Sequence, residues 1–206
     1  MIQTPPGGLP PILSNAMFDL PMHAPDIAVR LGRISMNGHG VTMYGATLGI
    51  SVGRQATIGL TTGYENCGQI GPIGCEAHTV AGARIEGRLA STPMGTGTDA
   101  RFAIGLNGEL GIAHPGNAPI VSLTGGVPLA IVVGGPELKI VPFLTPAIVW
   151  ARDYDGDFPS NARLLLGGGF ALMNPEHAIS ANLGFQKVVI EGGELMFGVN
   201  LVFGFR

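Results

Sequence analysis

The chain of 206 residues is 46% hydrophobic and only 12% charged, and its formal net charge is −3. The charged fraction is about half that of an average soluble protein, so we expect something other than water to contact much of the surface. No basic patch suited to phosphate binding is visible, which excludes nucleic acid as an expected partner. The 34 glycines and 16 prolines disfavour long helices, since each costs about 1 or about 3 kcal/mol in a helix interior.

Residues 1–25 contain six prolines and no hydrophobic period. We predict an extended Pro-rich N-terminal segment, separate from a domain formed by residues 26–206. It is too apolar for a simple flexible linker, so we expect it to lie against another surface. The inside of that domain, where it would act as a plug, and a partner protein, to which it would be a tether, are the two alternatives.

The end of the chain, residues 193–206, alternates between large apolar residues and small or polar ones. Such a period of two predicts a strand with one apolar side, and its length matches the 9–11 residues with which a strand crosses a bilayer. The apolar set is Leu195, Phe197, Val199, Leu201, Phe203 and Phe205.

The same alternation recurs along the rest of the domain. Including the last strand, we predict ten antiparallel strands: 26–32, 41–52, 55–64, 76–90, 101–112, 120–133, 138–152, 162–172, 177–188 and 193–206. Two membrane helices over 119–150 are the alternative there, but prolines and glycines interrupt that stretch. Because a closed barrel is the other way to satisfy a backbone in lipid, the chain predicts an all-β, up-and-down antiparallel transmembrane β-barrel.

Pro142 and Pro146 fall inside one predicted strand. Each would remove a ladder hydrogen bond, so we expect a bend or bulge at these prolines.

The pattern resembles that of small bacterial outer-membrane β-barrel proteins, whose last strand ends in an aromatic residue read by the barrel-assembly machinery. Here Phe205 is followed by Arg206, a departure from that signal. The resemblance implies a bacterial outer-membrane location, with the lipid bilayer and the assembly machinery as partners. In that orientation two aromatic girdles are expected: Tyr44, Tyr64, Trp150 and Tyr154 at the outer rim, and Phe102, Phe170, Phe203 and Phe205 at the inner one.

Charged residues concentrate on the non-apolar side of two neighbouring predicted strands. They form an expected lumen-facing cluster of Arg84, Glu86, Arg88, Arg101 and Glu109. A hairpin centred near residues 94–95 would place Arg88 opposite Arg101, with Glu86 diagonal to it.

Glycines on the same inward side would thin the wall and leave space for a lumen, a plug or a ligand. They are Gly105, Gly167, Gly169, Gly184 and Gly198. Apolar residues are expected beside them, so part of the lining is apolar: Val132, Val141, Phe143, Val149 and Leu165.

Two loop features bear on chemistry. Cys67 and Cys75 flank a Gly- and Pro-rich loop, which predicts a disulfide and an oxidising compartment, with free or metal-binding thiols as the alternative. Asp153, Asp155 and Asp157 alternate like the start of a calcium loop, but the EF-hand pattern then fails, leaving a weak calcium candidate or a solvated loop.

Catalysis is not expected. His39, His78 and His114 could gather near the outer end, with Glu76 beside His78, but no Ser lies in a recognisable nucleophile setting. We therefore expect neither an enzyme nor a cofactor.

Three functions are compatible with this sequence pattern. The first is a narrow, porin-like passive channel for small solutes, because ten strands enclose slightly more room than the eight that side chains can fill. The second is a non-conducting structural or interaction barrel that binds a partner through its loops or residues 1–25. The third is a soluble lipid-binding barrel, which would keep its apolar side chains inside.

Overall fold

The computed structural model describes residues 26–36, 39–52, 56–67, 78–96, 99–113, 119–153, 161–189 and 195–204. All regular elements in these ranges are strands, and all pairings between them are antiparallel. The prediction of an all-β antiparallel fold is confirmed. Residues 1–25, with the predictions made for them, lie outside the described part.

Eleven strand segments follow one another along the chain. They are β1 (Asp26–Met36), β2 (His39–Val52), β3 (Ala56–Cys67), β4 (His78–Pro93), β5 (Arg101–Ala113), β6 (Ile120–Gly126), β7 (Leu129–Gly134), β8 (Lys139–Asp153), β9 (Asn161–Asn174), β10 (Ile179–Val188) and β11 (Leu195–Gly204). Helices over 119–150, the alternative considered for that stretch, are wrong, because β6, β7 and β8 occupy it. No helix in the described ranges is long and apolar enough to cross a membrane.

Strands that are consecutive in the chain are neighbours in the sheet, except for β6 and β7, and β1 also pairs with β11. The sheet order runs from β4 through β3, β2, β1, β11, β10, β9 and β8 to β6 and β5. β5 in turn pairs with β4. Each described strand therefore has a hydrogen-bonded neighbour along both edges.

β6 and β7 act as one strand interrupted at Pro128. Asn107 of β5 pairs with Gly126 of β6, and three residues further along each strand Ile104 pairs with Leu129 of β7. The register is thus the same on both sides of the interruption. The two segments correspond to the one strand predicted over 120–133, which reconciles eleven segments with ten predicted strands.

Of the two distortions predicted at Pro142 and Pro146, a bend or a bulge, the bulge is wrong. β8 is continuous, and its register with β9 is unbroken, with Pro142 opposite Phe170 and Pro146 opposite Leu166. The cost of the prolines falls on the other edge of β8, where ladder pairs are missing toward β6 and β7. Since proline has no N–H, contact at that edge is kept by the Val127 N–H donating to the Pro146 carbonyl oxygen at 3.0 Å.

The register shift lies instead between β4 and β5. Arg88 pairs with Gly105, but the next paired residues are Ala90 and Ile104, so β4 carries one extra residue at Leu89. Such a β-bulge leaves the extra residue unpaired and increases the local twist.

The distribution of apolar and polar residues over the two faces of the sheet is the reverse of that in a soluble protein. Thirty-six large hydrophobic side chains are exposed in the described part, whereas the buried set combines fourteen hydrophobic residues, six of them alanine, with twelve polar or charged ones. Leu195 and Phe203 of the last strand are each 39% exposed. The large apolar residues therefore form the outer face, as their alternation predicts, and small or polar residues form the inner face.

Candidate functional site

The inner face has two chemically distinct regions. The polar wall consists of the buried polar residues of β2–β4 and β10–β11: Thr47, Thr57, Thr61, Arg84, Glu86, Ser180, Asn182, Gln186 and Asn200. The apolar wall consists of the two buried hydrophobic clusters of β5 and β7–β9: Ala103, Ala130, Val132, Val141, Phe143, Ala147, Val149, Leu165, Ala171 and Met173.

A buried ion pair is the centre of the charged cluster. Arg84 Nη1 donates to Glu86 Oε1 at 2.7 Å, and the two side chains are only 5% and 4% exposed. The residues are two positions apart on β4, so both lie on the inner face. At this burial both charges are largely removed from water, and their mutual hydrogen bond offsets part of the desolvation cost.

The strand register adds a second acidic residue to this pair. Glu109 of β5 is directly opposite Arg84, and Asn107 is directly opposite Glu86. Directly opposed residues of an antiparallel pair have Cβ atoms about 4.5–5.5 Å apart, so Glu109 is within reach of the guanidinium.

The expected opposition of Arg88 and Arg101 is wrong. Arg88 is opposite Gly105, and Arg101 is opposite Pro93. The hairpin is centred near residue 97 rather than 94–95, because its turn is longer, with the Met94 N–H donating to the Ala100 carbonyl oxygen at 2.9 Å. Arg101 is exposed at the end of β5, and Arg88 is half-buried.

Gly59 of β3 makes room for the buried arginine. It pairs directly with Arg84, and a Cβ placed on it would lie 2.9 Å from Arg84 Nε and 2.9 Å from Thr47 Cγ2. The arginine side chain therefore lies across the glycine, and a larger residue there would displace it.

A second polar group, on β10 and β11, was not singled out from the sequence. Asn182 and Asn200 are direct cross-strand partners and are almost fully buried. Ser180 donates its hydroxyl proton to Asn182 Oδ1 at 2.9 Å. The polar residues at every second position of these strands could have predicted this group. From the sequence, the charged residues were instead selected as the candidate site.

Gln186 and Thr145 differ from the other buried polar residues. Both amide atoms of Gln186 and the hydroxyl of Thr145 are buried, and neither side chain has a hydrogen-bond partner in the described part. Each side chain is 2% exposed. They flank Gly167, which pairs with Thr145 on one side and with Gln186 on the other.

The other sequence candidates lie at the edge of the described residues or outside it. Cys67 ends β3 and Asp153 ends β8. Cys75, Asp155 and Asp157 fall outside the described ranges, so the disulfide and the calcium site stay predictions. Within the described ranges, no three His, Cys, Asp or Glu residues are grouped so that they could hold a metal ion.

The fold and its inner face define a class: an antiparallel all-β protein with an apolar exterior and a mixed polar and apolar interior. No protein-family model matches the sequence, and no curated protein matches it. Among solved structures, the chain is similar to the translocator domain of the autotransporter NalP from Neisseria meningitidis, with 12% identity and a TM-score of 0.29. The match covers 88% of this chain and 86% of that domain. A TM-score of this size does not establish a common fold.

Proposed function

We propose that this protein spans a bacterial outer membrane as a closed β-barrel. The observation that carries the proposal is the exposure of thirty-six large hydrophobic side chains in the described part. Soluble monomers rarely expose contiguous apolar patches above a few hundred Å², whereas this apolar face continues from strand to strand. A hydrocarbon environment removes the cost of that exposure, and it requires that no strand edge is left unpaired.

Closure is supported by the pairing of β4 with β5, which joins the two ends of the strand order. A soluble lipid-binding barrel is disfavoured because its large apolar residues would be inside. The aromatic residues also fit a membrane boundary: Tyr44 and Tyr64 are cross-strand partners, and both are exposed. Tyrosine at this position places its ring in the interface and its hydroxyl toward water.

Two functions are compatible with such a barrel. A ten-stranded wall with small and polar inner residues favours a narrow passive channel for small solutes. The burial of the inner face favours the second function, a non-conducting structural or interaction barrel. Five inner side chains of β8–β11 are 0% exposed, which leaves no water-filled passage along them: Val141, Ala171, Met173, Ser180 and Asn200. We therefore propose a barrel that is occluded in this state and does not conduct solutes.

The membrane assignment is tested by placing a charge on the outer face. Leu60, in the middle of β3, is 68% exposed, and we expect Leu60→Arg to lower the free energy of unfolding in lipid vesicles by about 2–4 kcal/mol, the cost of arginine near the bilayer midplane.

Met94 provides the matched control, because it is also exposed but lies in the turn after β4. We expect Met94→Arg to change the stability by less than about 0.5 kcal/mol. Equal, small effects of both variants, together with a protein that stays monomeric without detergent, would overturn the membrane assignment.

Occlusion is tested in planar bilayers. We expect the full chain to insert and to show no steady conductance. Steady ion currents or solute uptake in every reconstituted sample would instead support the open channel.

A further inference from the structure

Two buried polar side chains of the inner face lie on either side of one glycine. Thr145 of β8 pairs with Gly167 of β9, and Gly167 pairs with Gln186 of β10. Directly opposed residues of a ladder point to the same side of the sheet, so the three form one inward row. Thr145 and Gln186 are each 2% exposed, and Gly167 is also buried.

Three polar atoms of this row are unpaired. They are the hydroxyl oxygen of Thr145 and both the nitrogen and the oxygen of the Gln186 amide, which have no hydrogen-bond partner among the described residues. The two side chains do not bond to each other, because β9 separates their strands and places their Cα atoms roughly 10 Å apart. Buried polar groups are almost always hydrogen-bonded, to protein or to ordered water. These three atoms therefore indicate a ligand.

The neighbouring side chains do not supply the missing partners. The next inner-face residues along the same strands are apolar: Phe143 and Ala147 on β8, and Leu165 on β9. On the side of β6, a Cβ built on Gly126 would lie 3.1 Å from Thr145 Cγ2, which is the Thr145 atom nearest to it. The methyl group of Thr145 therefore separates its hydroxyl from β6.

The unpaired atoms define the chemistry of the ligand. The Gln186 Nε2 is a donor, its Oε1 is an acceptor, and the Thr145 hydroxyl can be either. Both side chains are neutral, so they suit a neutral molecule that both donates and accepts. A buried water typically makes about three hydrogen bonds to polar groups that are otherwise unpaired, which matches the three atoms found here.

We propose that Thr145 and Gln186 bind an ordered water molecule over Gly167. The water donates to Gln186 Oε1 and accepts from Gln186 Nε2 and from the Thr145 hydroxyl, so it connects β8 to β10 across β9. The site rests on the burial and register of these three strands. The choice of water over a larger neutral solute rests on the proposed occluded barrel, because water is small enough to enter an interior that solutes do not cross.

The first test is the sign of the stability change when one partner of the water is removed. In denaturant titrations of the full chain in vesicles, we expect Thr145→Val and Gln186→Met each to raise the unfolding equilibrium constant about fivefold, since the water loses a hydrogen bond. The double variant should raise it by much less than the product of the two. Thr61→Val is the matched reference, because its hydroxyl lies 3.1 Å from that of Thr47.

The opposite sign has a different cause. If no water is bound, each substitution removes an unpaired buried group and lowers the unfolding equilibrium constant. That result, or a double variant equal to the product of the single ones, would overturn the water site.

The water is detected directly by Overhauser cross-peaks in nuclear magnetic resonance spectra of the full chain in detergent micelles. We expect a cross-peak between water and the Nε2 protons of Gln186, although this side chain is 2% exposed. Gly167→Ala should abolish it, because the added methyl group occupies the space above residue 167. Gly125→Ala should leave it unchanged, since Gly125 is exposed and an added Cβ meets no other described residue within 4 Å.

Two results of the spectroscopic experiment would overturn the water site. One is the lack of the cross-peak in the wild type, and the other is an organic molecule released on unfolding and detected by mass spectrometry. Steady currents in planar bilayers from a protein that retains the cross-peak would instead count against the occluded barrel, so the two failures are distinguishable.

Discussion

The polar and apolar walls are built on the same antiparallel backbone and carry the same apolar exterior, yet most of their buried side chains differ in chemistry. In the polar wall, an ion pair with an N–O distance of 2.7 Å joins Arg84 and Glu86. In the apolar wall, side chains such as Val141 and Met173 are held by packing alone. The outer face of this sheet is therefore set by the apolar surroundings that all strands share, whereas the inner face varies in chemistry from strand to strand.

The two walls should also respond differently to substitution. A charged or hydrogen-bonded residue is sensitive to loss of its partner, because the group left behind is buried and unpaired. An apolar residue is sensitive to loss of volume, because its neighbours collapse only partly into the space.

The largest effect is expected in the polar wall. Glu86→Leu should lower the free energy of unfolding by about 3–5 kcal/mol, since it leaves Arg84 buried without its 2.7 Å partner. Adding Arg84→Met should restore most of the loss, because a buried ion pair replaced by apolar residues is often neutral. Guanidinium unfolding in vesicles measures both, and a double variant as unstable as the single one would contradict the argument.

A somewhat smaller loss is expected in the apolar wall. Met173 is fully buried, so Met173→Ala should cost about 2–4 kcal/mol through lost contacts and a residual cavity. Leu172→Ala is the control: Leu172 is next in sequence but is exposed on the outer face, so less than about 1 kcal/mol is expected in the same titration. Equal losses would mean that the two faces are not differently packed.

A smaller loss of stability is expected when the uncharged hydrogen bond between Thr47 and Thr61 is removed. These residues are direct cross-strand partners, both buried, with their hydroxyl oxygens 3.1 Å apart. Thr61→Val should cost about 1 kcal/mol, because the Thr47 hydroxyl loses its partner. The double change to valine should cost less than the single one. A double variant whose loss is the sum of the two single losses would show that the hydroxyls are independent.

The smallest effect lies in a turn. Ala178 adopts φ 52°, a left-handed conformation that is unfavourable for residues with a Cβ. Ala178→Gly should raise the free energy of unfolding by about 0.5–1 kcal/mol. Ala171→Gly is the control, because Ala171 lies inside β9 and should lose stability on the same change. Destabilisation of both variants to the same extent would indicate that contacts of the Ala178 methyl outweigh the relief of strain.

The outer face was predictable from the sequence because each strand carries large apolar residues at every second position. Ile85 and Leu89 were expected outward, and both are exposed. Cross-strand partners were not predictable in the same way, because they depend on turn length. The hairpin before Arg101 is longer than assumed, which changed the partner of Arg88 from Arg101 to Gly105.

Other features depend on which neighbouring strand lies along each edge of a strand, and the sequence pattern does not show this. Pro142 was expected to distort its strand, but which edge of the strand loses the ladder bond is decided by the fold. The buried Asn182–Asn200 pair was likewise hidden, because asparagines 18 positions apart become partners only through the register of β10 and β11. The polar face could be predicted, whereas the pairs within it could not.

The extra residue at Leu89 has a consequence for how this chain varies. Before it, the inward positions of β4 are even-numbered, as at Glu86. After it, they are odd-numbered, as at Ser91, which pairs with the buried Ala103. The strand therefore changes its inside-outside phase once along its length. Removing that single residue should preserve the orientation of every other side chain, so one-residue length differences among related sequences are expected to accumulate there.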